Sequence, residues 1–129
     1  PAVMTDGICP SGWSIPSDEE WQTMEISLGM SESDAAGQNW RGSPVGDYMK
    51  STSGWDGGVN GSNSSGFNGL PGGSRSSSGF YINGDNGYWW TASELYYHQW
   101  RRVLSDNSTV YRGNDSGRDY GFSARCVQD

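Results

Sequence analysis

One lysine, one histidine and two cysteines occur among 129 residues, and Leu, Ile, Val and Phe together supply only 17. Aliphatic content that low is usual in disordered chains. Seven Trp and seven Tyr take the place of the missing aliphatics, however. A large aromatic buries roughly 150–250 Å², so a dozen can furnish the apolar area of a small core. A single folded domain over residues 1–129 is the expectation. No apolar run approaches membrane-spanning length, so membrane insertion by this domain is not expected. No signal peptide precedes Pro1, as expected of a mature or excised ectodomain.

Positive charge is scarce as well. Eight Lys and Arg face 15 Asp and Glu, for a formal net charge of −7. Residues 1–94 carry 11 of the acids and 3 of the bases, whereas residues 95–129 carry 4 acids and 5 bases. An acidic chain without a basic stripe is poorly suited to a phosphate backbone, so nucleic acid is not an expected partner. The lone His98 has neither a second histidine nor a nearby cysteine for zinc. It also lacks an evident Ser or Cys partner for a nucleophilic dyad, although Glu94 lies four residues before it. No P-loop is present, and no glycosidase pair stands out among the acids. No catalytic residue is assigned.

Cys9 and Cys126 stand at opposite ends of the chain. They are either two unrelated buried thiols or a bridge. The abundance of Gly, Ser, Asn, Trp and Tyr, extracellular in character, favours the bridge. Closing so long a loop would remove denatured-state entropy worth about 4–5 kcal/mol.

What is plentiful is glycine (20) and serine (21), interspersed with aromatics as in a turn-rich fold. Ser17 lies three residues before Glu20, a capping-box spacing, and Trp21, Met24 and Leu28 recur at helical intervals before Gly29. A shorter helix is expected from Ser31 or Ser33, and a further helical turn in "PVGDYMKS". Residues 52–79 read as a long ordered loop pinned by Trp55, Val59, Phe67 and Leu70. Short β-prone runs then follow at 80–82, 88–91, 100–104, 109–112 and 120–127, separated by Gly/Asn/Asp turns. Alternation puts Trp100, Arg102 and Leu104 on one face, with Arg101 and Val103 on the other. Phe122, Ala124 and Cys126 share a face likewise. The expected class is α+β: an early helix, a long loop and a late antiparallel meander.

Six blocks in order, "CPSGWSIPSDEEWQTM", "MKSTSGW", "NSSGFNGLPGG", "GYWWTASE", "WRRVLSDNSTVYR" and "GFSARCVQD", resemble the Fibrobacter succinogenes major paralogous domain of secreted and lipid-anchored bacterial surface proteins. Residues 30–48 carry the least family pattern. The resemblance implies a C-type lectin-like fold, shared with formylglycine-generating-enzyme-type domains, and a terminal disulfide. It also implies a non-catalytic, adhesin-like role within a larger surface protein or lipoprotein. Some relatives of that fold carry hypervariable residues written by diversity-generating retroelements, which here would fall in residues 95–120.

Within "GYWWTASELYYHQW" the block Tyr88, Trp89 and Trp90 reads as core, the two tryptophans facing opposite ways, and Trp100 reads as core too. Tyr96, Tyr97 and His98 follow in an expected loop. With Arg101, Val103, Tyr111, Asn114, Asp115, Arg118 and Asp119 they form the candidate contact surface for a glycan or a protein. Tyrosine suits such work because it is rigid, amphipathic and loses little entropy on contact. Arg102 and Arg125 read as structural. Oxygen donors at Asp56, Asn60, Asn63, Asp85 and Asn86 leave calcium open, although turn chemistry gives the same composition without a metal. The alternative to a binding surface is a display module with no ligand pocket of its own; exposure of Tyr96, Tyr97 and Tyr111 separates the two.

Overall fold

The computed structural model describes residues 7–115, 117 and 119–129. The chain starts its longest helix where the local signals meet. Ser17 Oγ accepts from the Glu20 N–H at 3.1 Å, and Glu20 Oε1 accepts from the Ser17 N–H at 3.2 Å. On that capping box stands α1 (Asp18–Ser27). Trp21 faces the core, with Met24 and Leu28 packed partly against it. α2 (Glu32–Ala36) begins after the Ser31 cap, and α3 (Val45–Met49) forms in the third helical stretch.

The strands are short: β1 (Trp13–Ser14), β2 (Asn39–Arg41), β3 (Ser74–Ser76), β4 (Gly79–Tyr81), β5 (Gly87–Leu95), β6 (His98–Leu104), β7 (Val110–Gly113) and β8 (Val127–Gln128). The main sheet is antiparallel in the order β2-β7-β6-β5. β3 and β4 form a separate hairpin, and β1 pairs with β8. The fold is α+β. Cys9 and Cys126 are disulfide-bonded across 117 residues, with Cα atoms 6.0 Å apart.

Two apolar clusters sit on opposite faces of β5. Trp89 joins Trp21, Met30, Met49, Trp55, Phe67 and Leu104 in the larger one. Trp90 packs with Ile15 and is flanked by Cys9, Phe122 and Cys126 in the smaller. The adjacent tryptophans therefore do face opposite ways, as alternation along a strand requires.

The larger core also encloses charge. Arg102, fully buried, donates to Asp18 Oδ1 at 2.7 Å and to Glu25 Oε1 at 3.1 Å. Arg112 donates to Asp18 Oδ2 at 2.7 Å, and Arg41 donates to Glu25 Oε1 at 2.9 Å. Burial by itself would raise the Asp18 pKa, but the hydrogen bond from Arg112 and the charge of Arg102 outweigh it. They hold the carboxyl below its ordinary value. This cluster ties α1 to β2, β6 and β7.

Several expectations need correction. Residues 52–79 are not all loop, since Ser74–Ser76 form β3 and pair with β4. Residues 120–127 do not form one strand: Gly121 and Ser123 make isolated bridges to Arg75 and Trp89, only Val127 enters β8, and Ala124 is exposed. That segment lies against the outer face of the sheet, where Phe122 stacks on Tyr88 at 5.1 Å. Val103, paired between Tyr88 and Tyr111, is 4% exposed instead of presented to solvent. Leu70 is 55% exposed and pins nothing, whereas Trp55 and Phe67 are buried as expected. The missing peg is Lys50, whose buried Nζ donates to the carbonyls of Val59, Ser105 and Asn107 at 2.8–3.2 Å. The loop passes so close to α3 that a Cβ at Gly61 would lie 2.3 Å from the Asp47 carbonyl oxygen, a contact only glycine permits.

Candidate functional site

Tyr96 and Tyr97 are not in an open loop. Leu95 pairs with His98, so the two tyrosines are the whole connection between β5 and β6. A two-residue hairpin turn that matches strand twist needs positive φ at both central positions and usually takes Asn-Gly. Here tyrosines adopt φ of 50° and 67°, and they are 83% and 82% exposed. Bulky residues rarely hold such angles. Leu95 and His98 beside them are exposed as well.

The stem below this tip is fixed. Register shifts between Trp90 and Glu94, placing Thr91, Ala92 and Ser93 in a bulge opposite Trp100. The Ala92 N–H donates to the Pro16 carbonyl at 2.9 Å, and the Asp18 N–H donates to Ser93 Oγ at 2.9 Å. The buried Gln99 donates through Nε2 to the Thr91 carbonyl. The bulge thus anchors the hairpin to the start of α1 and leaves its last four residues projecting. Bulges commonly re-aim side chains in this way.

A second group lies on the outer face of the sheet. Arg101 stacks over Tyr111 at 5.1 Å and Phe122 at 5.8 Å, and it pairs with Asp115 at 2.9 Å. The Tyr111 hydroxyl donates to the same carboxylate at 3.3 Å. Burial first, and the charge of Asp115 second, push the Tyr111 pKa above its ordinary value. Trp40 meets Tyr111 edge-on at 5.4 Å and is half-exposed. Together these make a ledge on which Arg101 lies over two rings and pairs with the exposed Asp115, with Trp40 at its edge.

Of the candidate residues, Tyr96, Tyr97 and His98 cluster at the tip, and Arg101, Tyr111 and Asp115 cluster on the ledge. Asn114 is half-buried after β7, Asp119 is exposed in a following turn, and Val103 is enclosed beneath. Arg118 lies outside the described residues. Trp40 and Leu95 were not among the candidates. Trp40 fell in the stretch with least family pattern, and nothing in the spacing of "GQNWRG" signals a strand beside Tyr111.

Of the two structural arginines, Arg102 fits that role. Arg125 is exposed, stacks on the core residue Phe67 at 4.9 Å and has no carboxylate partner among the described residues. Asn60 Oδ1 and Asn63 Oδ1 accept from the backbone N–H groups of Trp55 and Asn68 at 2.9 and 2.7 Å, so both oxygens serve the loop. Among the described residues no three of His, Cys, Asp and Glu gather as a metal-ligand group.

No curated protein and no solved structure matches the chain. The family model of the Fibrobacter succinogenes major domain matches residues 1–128. The chain belongs to that family.

Proposed function

We propose that this is a non-catalytic, extracellular binding domain of a larger bacterial surface protein, gripping a glycan or a protein with the tip and ledge of residues 95–120. One observation carries the reading. Two large amphipathic side chains occupy a turn whose backbone suits Asn-Gly, and both lie open to solvent. Strained residues cluster where function needs them, and packing gives no reason for tyrosine at this place. The tip is convex. Small ligands need concave sites that enclose most of their surface, so the partner is a macromolecule, or a glycan displayed on one, with a recess that accepts the tyrosines. The ledge adds an aromatic floor and opposite charges, which serve sugar C–H faces and peptide groups alike.

The lectin-like architecture, export to the cell surface and retroelement-written variation belong to the same reading, and they rest on family resemblance. Related domains of the same genome, aligned over 95–120, should vary most at Tyr96, Tyr97 and the ledge if the stretch is diversified.

The direct experiment is a glycan array with a parallel cell-surface protein pull-down. It compares the domain with Tyr96→Asn/Tyr97→Gly and with Tyr111→Ala. Loss of a captured ligand in the tip variant, with unchanged circular dichroism, is the expected result. Undiminished capture by both variants would move the contact elsewhere, and no capture by any form, the unaltered domain included, would favour the display-module alternative.

A further inference from the structure

Away from residues 95–120, a cleft of about 380 Å³ opens between α1, residues 65–67 and the C-terminal residues 125–128, within the size range of small-ligand sites. Trp21 and Phe67, packed edge to face at 5.4 Å, are among its lining residues. Trp13 also lines it and leaves 45% of its surface open, and Glu20 and Gln128 contribute polar groups. Arg125, which also lines the cleft, differs from most other arginines of the fold. Arg41, Arg101, Arg102 and Arg112 each hold a carboxylate, whereas Arg125 has none among the described residues. Its guanidinium is held by the ring of Phe67 and keeps its N–H donors for another group.

An arginine stacked on an aromatic ring is pre-organised, and its planar fork matches a carboxylate in two parallel hydrogen bonds. A second, half-open aromatic wall beside it suits a ring lying flat. We infer that this cleft binds a carboxylate borne on a ring: the carboxylate on Arg125, the ring against Trp13, and any hydroxyls read by Glu20 and Gln128. Sugar acids and aromatic acids share that chemistry. None of these lining residues belongs to the tip or the ledge, so this site stands or falls independently of the proposed function.

The test follows the Trp13 indole N–H by ¹H–¹⁵N correlation spectroscopy, with its signal assigned from Trp13→Phe. Four probes are titrated: glucuronate, benzoate, acetate and glucose. Saturable shifts with glucuronate or benzoate, at least about tenfold tighter than with acetate or glucose, are expected, and the stronger of the two identifies the source class. Arg125→Gln should weaken that binding by about tenfold or more, a change of roughly 1.4 kcal/mol. Tyr96→Asn/Tyr97→Gly should leave it unchanged. Absence of a shift with both ring acids would overturn the inference. So would an equal response to glucose, or binding that Arg125→Gln does not weaken while the disulfide and the other tryptophan signals remain intact.

Discussion

A tyrosine forced into the left-handed region gives up about 1–2 kcal/mol relative to an angle it prefers, and residues 96 and 97 do so in succession. If contact with a partner is what retains them, the turn should be improvable at the expense of binding. Tyr96→Asn/Tyr97→Gly is expected to raise the free energy of unfolding by about 1–2 kcal/mol, read from urea denaturation. A destabilised variant would mean that the rings contribute to the fold in some way their exposure conceals. Their place just after the Tyr88–Trp90 block, and the chemistry of tyrosine, marked both residues as candidates. The turn itself was hidden, because Tyr-Tyr is not a hairpin signal and the bulge at residues 91–93 lengthens β5 without altering its letters.

α1 is attached by charge as much as by apolar contact. Asp18 and Glu25, on its inward side, receive Arg41, Arg102 and Arg112 from three strands. Removing one partner from such a buried set strands the others, so Arg102→Met should cost about 3–5 kcal/mol in chemical denaturation. Asp18 has a second, pH-dependent signature. Its folded pKa lies below the ordinary 3.8. The stabilisation is therefore fully present above that unfolded value and is lost as pH falls through the folded one. The melting temperature should drop on acidification below about pH 4, and Asp18→Asn should flatten that dependence. The capping box, the helical spacing of Trp21 and Met24, and the paired tryptophans made α1 and β5 readable in advance. Glu25 was not readable, since a glutamate between apolar positions looks like a solvated neighbour until β2 and β6 bring Arg41 and Arg102 to it. β2 and the broken 120–127 segment escaped for a related reason: each takes its shape from what it lies against, Tyr111 in one case and the Tyr88–Trp90 face in the other.

Across the whole molecule the bond between Cys9 and Cys126 encloses nearly everything described above. Its composition-based expectation was met, and the loop it closes sets the size of its effect. Reduction should lower the unfolding free energy by about 4–5 kcal/mol on the chain-entropy account, measurable by denaturation with and without reductant. Pulling is a separate matter. Tension applied from ahead of Cys9 to beyond Cys126 runs from sulfur to sulfur and bypasses the sheet, the helices and the hairpin tip. Under the proposed function, in which the domain is stretched between a cell and a ligand, the oxidised form would transmit force like a single knot in a cord and keep its tyrosines in position. In optical-tweezer traces it should yield almost no length, whereas the reduced form should release on the order of 40 nm as the chain between the two cysteines, a sequence separation of 117, unravels.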